Sequence, residues 1–379
     1  MNKKQFFAAA LFALAVATGL SSPLPRASGN DLAHLEQQAM QAAAAQVADS
    51  VVRIQCVGGS DRVGGVSLGK GPCTGLVVSP EGLIVSSRYN FARRPTSILV
   101  QLPGGLNLPA RLLGADESRG LVLLKVDLPQ GTPPLMMPEW AEAGSAVPGA
   151  WALAIGRTLD AEQVNLSVGI VSAVDRIWDK AIQTDAKISP NNYGGPLVDI
   201  HGRVMGLLVP LSPERDGNVA GAEWYDSGIG FAIPHTYLQQ VLPRLKTGEI
   251  LRPGFLGISL KKDSNLFGIP PQVQAVHPDS PAAASGLRVG DTIVAVNRQP
   301  VANIVEFKYQ IKPLFAGNTV RLLLLRGEQQ FVKEVALAAA SKIRWIKDPK
   351  ESRQKPSGPQ PPKPPKPHSP QDRDRLDRI

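Results

Sequence analysis

From Val51 onward the chain is written in short apolar runs broken by turn residues: "VVRIQCV", "GLVVS", "GLIVSS", "SILVQL", "ARLLGAD" and "GLVLLKV", then "AWALAIG", "VNLSVGIVSAV", "AIQTDA", "PLVDIHGRVMGLLV" and "GIGFAIP". Turns at intervals of roughly eight to twelve residues between β-branched and apolar runs predict short antiparallel strands in a sandwich or barrels, and a span of about 190 residues suits two small barrels packed together. An Ala-rich stretch precedes them, with Asn30 or Asp31 as its cap and a thin stripe of Leu32, Leu35, Met40 and Val47. It predicts a helix to about Ala48. After the strands, "PHTYLQQVLPRLKTGEI" places Leu238, Val241, Leu242 and Leu245 on one side of a helix that ends at Gly248. A second unit begins at "RPGFLGISL". Its runs "QVQAVHP", "DTIVAVN", "TVRLLLLR" and "FVKEVALAA", with the helix-like "IVEFKYQIKPLF", predict a compact α+β module.

Composition agrees with a strand-rich chain: aromatics are 5%, and 36 Gly and 34 Pro call for many turns. At the N-terminus Lys3 and Lys4 precede an apolar run from Phe6 to Leu20 and then small residues, the layout of a secretory signal cleaved after Ala17 or near Ser28. The run is shorter than the ~20 apolar residues of a spanning helix. An exported protein is therefore expected. The formal charge is +9, and residues 341–379 hold eleven Lys and Arg against five Asp and Glu, so most of it belongs to the tail. That tail, with "PPKPPKP", has too few apolar residues for a core and is expected to be disordered with polyproline II character. Export argues against nucleic acid as its partner and leaves an anionic membrane or anionic envelope polymers.

Cys56 and Cys73 fall in consecutive predicted strands. In an oxidising compartment they could bridge a hairpin or stand as two separate thiols, and spacing alone does not decide. Neither has a His or further Cys at ligand spacing, so no metal site and no cofactor are expected.

The stretch "QTDAKISPNNYGGPLVDIHGRVMGL" resembles the nucleophile segment of the HtrA (Deg) family of trypsin-like serine proteases. The likeness continues through "CTGLVVSPEGLIVSS", "GADESRGLVLLKV", "AWALAIG", "VGIVSAVDR" and "GIGFAIP", and on into "RPGFLGI" and "PDSPAAASGLRVGDTIVAVNRQPV", which look like one PDZ domain. It covers roughly Ser50 to Ala338. The resemblance implies a mainly β protein, a chymotrypsin-like double β-barrel followed by an α+β PDZ domain. The expected organisation is a signal peptide at 1–28, a helical segment at 30–49, a trypsin-like domain at 50–247, a PDZ domain at 249–340 and a basic Pro-rich tail at 341–379.

Carried over position by position, the resemblance puts Tyr89 where the family has its catalytic histidine, Gly120 where it has aspartate, and Tyr193 where it has serine; Asn191 and Asn192 occupy the former oxyanion loop. A serine hydroxyl attacks because an imidazole takes its proton and a carboxylate holds that imidazole. A phenol of pKa near 10 is a poor acceptor near neutral pH, and a buried aspartate left without its histidine would cost several kcal/mol. The expected state is a dismantled triad whose cleft is filled by the two tyrosines. Of the histidines, His34, His201, His235, His277 and His368, none lies in the first barrel; His201 and His235 read as surface or capping residues. Ser86, Ser87 and Ser189 read as strand and turn serines.

In the PDZ-like unit, Gly254, Phe255, Leu256, Gly257 and Ile258 resemble the loop whose backbone amides receive a C-terminal carboxylate, beside an edge to which an extended peptide adds. The sequence thus points to a pseudoprotease that binds peptides or unfolded envelope proteins as scaffold, chaperone or regulator. The alternative is an active serine endopeptidase of envelope protein quality control. The family's habit of forming trimers implies a homo-oligomer, or a hetero-assembly with active relatives.

Overall fold

The computed structural model describes residues 29–58, 72–91, 95–160, 162–211, 227–261 and 265–339. The expected signal and tail lie outside the described residues. Strands β1 (Val51–Val57), β2 (Cys73–Ser79), β3 (Leu83–Ser87), β4 (Ser97–Gln101), β5 (Asn107–Asp116) and β6 (Leu121–Val126) form one closed barrel in the order β5-β4-β1-β2-β3-β6, with β5 pairing β6 to close it. Strands β7 (Trp151–Gly156), β8 (Asn165–Asp175), β9 (Ala181–Thr184), β10 (Pro196–Val198), β11 (Val204–Val209) and β12 (Gly230–Pro234) close a second, in the order β10-β11-β12-β9-β8-β7.

Several of the runs are apolar without alternation because both of their faces are covered. Successive side chains of a strand point to opposite faces. In β2, Cys73 and Val77 enter the interior of the first barrel, whereas Leu76 and Val78 face outward into a core shared by the two barrels. β3 divides in the same way, with Ile84 inside and Leu83 and Val85 outside, and β6 places Val122 and Leu124 inside and Leu121 and Leu123 outside. From the second barrel, β7 contributes Leu153 and Ile155 to the shared core and keeps Ala152 and Ala154 for its own interior.

Two helices seal the shared core. Helix α1 (Gly29–Ala48) buries Ala43, Ala44 and Val47 there, while Leu32 and Leu35 stay exposed, so the thin apolar stripe is used only over its last turns. Helix α2 (His235–Lys246) buries Leu238, Val241, Leu242 and Leu245, the stripe legible in the sequence. After it, β13 (Ile250–Leu251) adds in parallel to β5, with Ile250 opposite Ala115. The link to the second unit is thereby hydrogen-bonded to the first barrel.

That unit holds two short pairs, β14 (Gly254–Phe255) with β21 (Ala338–Ala339) and β15 (Ile258–Leu260) with β16 (Val273–Val276). A four-stranded sheet follows, built from β17 (Thr292–Val296), β18 (Gln299–Pro300), β19 (Thr319–Arg326) and β20 (Gln329–Ala336) in the order β18-β17-β19-β20. Helix α3 (Pro281–Ala284) is capped by Ser280, whose hydroxyl accepts from the Ala283 amide at 3.2 Å. Helix α4 (Ile304–Ile311) is capped by Asn303, which accepts from the Glu306 amide at 2.9 Å, while Glu306 reaches back to the Ala302 amide at 2.7 Å. The α4 residues Phe307 and Ile311 pack with Leu256, Ile293, Val320 and Leu322 into one core.

Fully buried Asp291 accepts two hydrogen bonds from the Arg326 guanidinium, at 2.7 and 2.9 Å, and one from the Arg288 amide at 2.8 Å. The guanidinium, more than the amide, holds this carboxyl below the usual aspartate range. A folded-state pKa below the unfolded one gives stability that is present above the unfolded value and is lost as pH falls through the folded value. Asp291→Asn should therefore lower PDZ stability by about 2–3 kcal/mol at neutral pH and flatten the acid limb, measured by urea melts of wild type and variant between neutral pH and the acid range.

Candidate functional site

Tyr89 sits in the 3-10 turn Arg88–Phe91 that leaves β3. The Arg88 amide donates to the Gly120 carbonyl at 2.8 Å, which brings the position before β6 alongside this turn. Gly120 has φ +70°, and a Cβ built on it meets nothing within 4 Å, so space is open there although the backbone is of the kind that favours glycine. Just upstream, the Ser118 and Arg119 amides donate to Asp116 Oδ1 at 2.8 and 3.1 Å. The second carboxylate oxygen of Asp116 accepts a short hydrogen bond from the Tyr237 hydroxyl.

The opposing turn is shaped by Asn192, which is buried. Its Oδ1 accepts from the Ser189 amide at 3.0 Å, its Nδ2 donates to the Lys187 carbonyl at 3.2 Å, and its own carbonyl accepts from the Gly195 amide at 2.9 Å. Gly194 then runs at φ +88°, where a Cβ would lie 2.3 Å from both Ser86 Oγ and the Thr74 carbonyl. A Cβ on Gly195 would lie 2.0 Å from the Ile155 carbonyl. Both glycines are required by close backbone approach between the turn, the first barrel and β7. Hydrogen bonds join the same parts: Asn90 Nδ2 donates to the Tyr193 carbonyl at 3.1 Å, and Thr74 Oγ1 donates to the Asn191 carbonyl at 3.1 Å.

Both rings of the cleft are buried, Tyr89 at 7% and Tyr193 at 1% exposure, and they meet edge to face with centroids 5.4 Å apart and planes at 76°. Tyr89 belongs by chain to the first barrel but packs in the interior of the second, with Ala154, Ile188, Leu197 and Met205. The described histidines lie elsewhere in the fold. His34 is on α1 and His201 in an exposed turn, and His277 follows β16. His235, expected as a surface or capping residue, does open α2, but it is 7% exposed and makes no side-chain cap; it stacks on Trp140 at 5.9 Å and places Nδ1 3.2 Å from the Met205 carbonyl. It is buried because the start of α2 lies against β11.

Cys56 and Cys73 are free thiols. In the β1–β2 register Cys73 opposes Ile54, so Cys56 lies diagonally across on the same face. The thiols share a hydrogen bond, which lowers the Cys56 pKa and, together with burial, raises that of Cys73.

In the second unit Gly257 has φ +89° and a Cβ there would strike Ser280 at 2.0 Å. The Leu256 and Gly257 carbonyls turn inward, accepting from the Ala282 and His277 amides at 2.9 Å each. Leu256 is a core residue, whereas Phe255 and Ile258 are half-buried. β15 pairs β16 along one edge, and among the described residues no strand pairs its other edge. One element was not foreseen from sequence. The helical turn Arg176–Asp179 carries left-handed backbone at Ile177, Trp178 and Asp179, and it presents Trp178 edge-on to Tyr309 of α4 at 5.4 Å, with Lys308 Nζ 4.9 Å above the indole ring. The signal was an indole set among charged residues in "DRIWDK".

Two closed barrels with a shared core, followed by a unit with a glycine-bearing loop and a free strand edge, define a trypsin-like peptidase fold joined to a PDZ domain. A trypsin-like peptidase domain matches residues 73–207 and a PDZ domain matches 254–337. The chain belongs to the HtrA family. The serine endoprotease of Yersinia pestis is similar in structure, with TM-score 0.59, 30% identity, and 79% of this chain and 97% of that one covered. The HtrA-type protease AlgW solved with a tripeptide gives TM-score 0.63 at 25% identity, covering 79% of this chain and 96% of that one. Among curated proteins, a "probable periplasmic serine endoprotease DegP-like" of Pseudomonas fluorescens is 30% identical over 70% of this chain and 56% of its own length. Serine endoprotease DegS of Salmonella typhimurium is 28% identical over 70% of this chain and 76% of its own. The chain thus spans about half the length of the DegP-like relatives it matches.

The tyrosine contact has a measurable energy. Tyr193→Ala should cost about 3–5 kcal/mol. A double-mutant cycle with Tyr89→Ala should return a coupling of about 0.5–1.5 kcal/mol in chemical denaturation; additive losses would mean that the rings do not touch in solution.

Proposed function

We propose that the protein is an exported, catalytically silent homologue of serine endoproteases that binds peptides or unfolded envelope proteins through its PDZ groove, as scaffold, chaperone or regulator. The observation that carries this reading is the buried Tyr89–Tyr193 pair. It occupies the ground on which, by resemblance, a serine and a histidine would stand, and Gly120 offers no carboxylate. Acyl transfer needs a nucleophile within reach of a base. A phenol facing another phenol inside an apolar core supplies neither. Export is supported by the N-terminal signal pattern and by relatives named as periplasmic.

Peptide binding is supported by the PDZ match, by the unpaired edge of β15 among the described residues beside α4, and by the AlgW structures solved with a tripeptide and a decapeptide. An extended peptide adding to that edge would gain main-chain hydrogen bonds, with its carboxylate at 254–258. Assembly with itself or with active relatives belongs to the same reading.

The purified protein should leave unfolded casein uncut. Tyr193→Ser should be equally inactive, because Tyr89 and Gly120 remain, and measurable turnover by that single variant would overturn the assignment of the base. In the same preparation, titration with a C-terminal peptide library should give affinity that disappears when the terminal carboxylate is amidated. Binding indifferent to that change would leave the PDZ domain as a structural unit.

A further inference from the structure

The two cysteines of the chain meet on the inner face of the first barrel. The β1–β2 ladder ends at the pair Ile54–Cys73, and Cys56, two residues beyond Ile54, projects to the same side of the sheet. Cys73 belongs to the barrel core together with Ile54, and Cys56 packs against that core. They are therefore diagonal cross-strand neighbours, a relation in which side chains can touch. The thiols do touch, through the hydrogen bond between them.

The surroundings of the two sulfurs differ. Cys73 is 4% exposed, whereas Cys56 is half-buried near the end of β1 and partly open to solvent. The shared hydrogen bond favours the Cys56 thiolate over that of Cys73, so the more accessible sulfur is also the readier nucleophile toward a disulfide. The flanking backbone is fixed on both strands. Cys56 pairs with Ile98 of β4, and the next carbonyl, that of Val57, accepts from the Thr96 amide at 2.9 Å. Thr74, next to Cys73, donates to the Asn191 carbonyl at 3.1 Å and accepts from the Arg157 amide at 2.9 Å. Cys73 itself opens β2, and Pro72 before it has no N–H with which to extend the ladder. The approach that an S–S bond requires therefore falls on the first residue of β2.

We propose that Cys56 and Cys73 are an oxidisable dithiol that closes to an intramolecular disulfide, with Cys56 as the attacking thiol and Cys73 as the resolving one. The Cys56 thiolate attacks one sulfur of an external disulfide, a small-molecule or protein oxidant, forming a mixed disulfide and expelling one thiolate. The Cys73 thiolate then attacks Cys56 Sγ and expels the second. The protein gives up two electrons and two protons, and the oxidant is reduced to two thiols. The new bond pins the start of β2, the strand from which Thr74 reaches the Asn191 carbonyl. It uses no residue of the tyrosine cleft or of 254–258, so it stands apart from the binding function proposed above.

The test equilibrates the purified, reduced full chain with oxidised glutathione, then denatures it, alkylates it with N-ethylmaleimide and reads its mass. The expected product is a monomer lighter by two hydrogens, with no alkylatable thiol and with a linked peptide pair that holds Cys56 and Cys73. Cys73→Ser should stop at a glutathione adduct on Cys56, whereas Cys56→Ser should stay unmodified under the same conditions. Because Cys73 is buried and a hydroxyl there could unfold the barrel, Cys73→Ala, which keeps the site apolar, serves as the second probe and should collect the same adduct. Two alkylatable thiols in the folded chain after oxidation, a disulfide-linked dimer in place of the monomer, or equal adducts on Cys56 and Cys73 in the single variants would overturn the proposal.

Discussion

Tyr89 leaves the first barrel and ends in the hydrophobic interior of the second, and the rest of the cleft is arranged around that crossing. Its ring meets Tyr193 edge to face, the geometry in which the positive rim of one aromatic ring approaches the negative face of another. The 3-10 turn that carries Tyr89 is tied to Gly120 on one side, and through Asn90 to the Tyr193 carbonyl on the other. This aromatic contact thus sits where the two barrels meet, beside the core that they share.

The turn around Tyr193 would be needed even without any reaction. Gly194 and Gly195 are each within touching distance of a neighbouring backbone, and Asn192 ties both ends of the turn through its amide. A larger residue at either glycine would push β7 or the first barrel away. In the reading proposed above, this is why a nucleophile turn can outlast its nucleophile: the packing of the two barrels fixes its backbone, and only the side chain at position 193 is free to change. The Arg176–Asp179 turn makes a similar point. Left-handed backbone at Ile177 and Trp178 costs about 1–3 kcal/mol per residue, and it persists where Trp178 is held against Tyr309.

Much of this was legible in the sequence. The strands announced themselves as short apolar runs, and their lack of alternation is explained by burial on both faces, as in β2, where Val77 and Leu76 serve different cores. The family likeness placed Tyr89, Gly120 and Tyr193 near one another, and the structure adds the ring geometry and the Asn90 bridge. Less was legible where a side chain's surroundings come from distant parts of the chain. His235 read as a surface or capping residue because nothing in its own neighbourhood reveals Trp140 stacked upon it. Arg119 and Lys180 are separated along the chain and look like ordinary surface cations, yet each is only 4% exposed, Arg119 lying against the Tyr237 ring of α2. Leu256, in the loop whose backbone amides are expected to receive a carboxylate, gives its side chain to the PDZ core.

The central claim is that the hydroxyl at the heart of the cleft is a packing element and not a nucleophile. Its most direct test is covalent labelling of the purified protein with a fluorophosphonate, followed by peptide mapping of 187–199. The account predicts an unmodified peptide after prolonged exposure. A stoichiometric phosphonyl adduct on Tyr193 or Ser189 would contradict it.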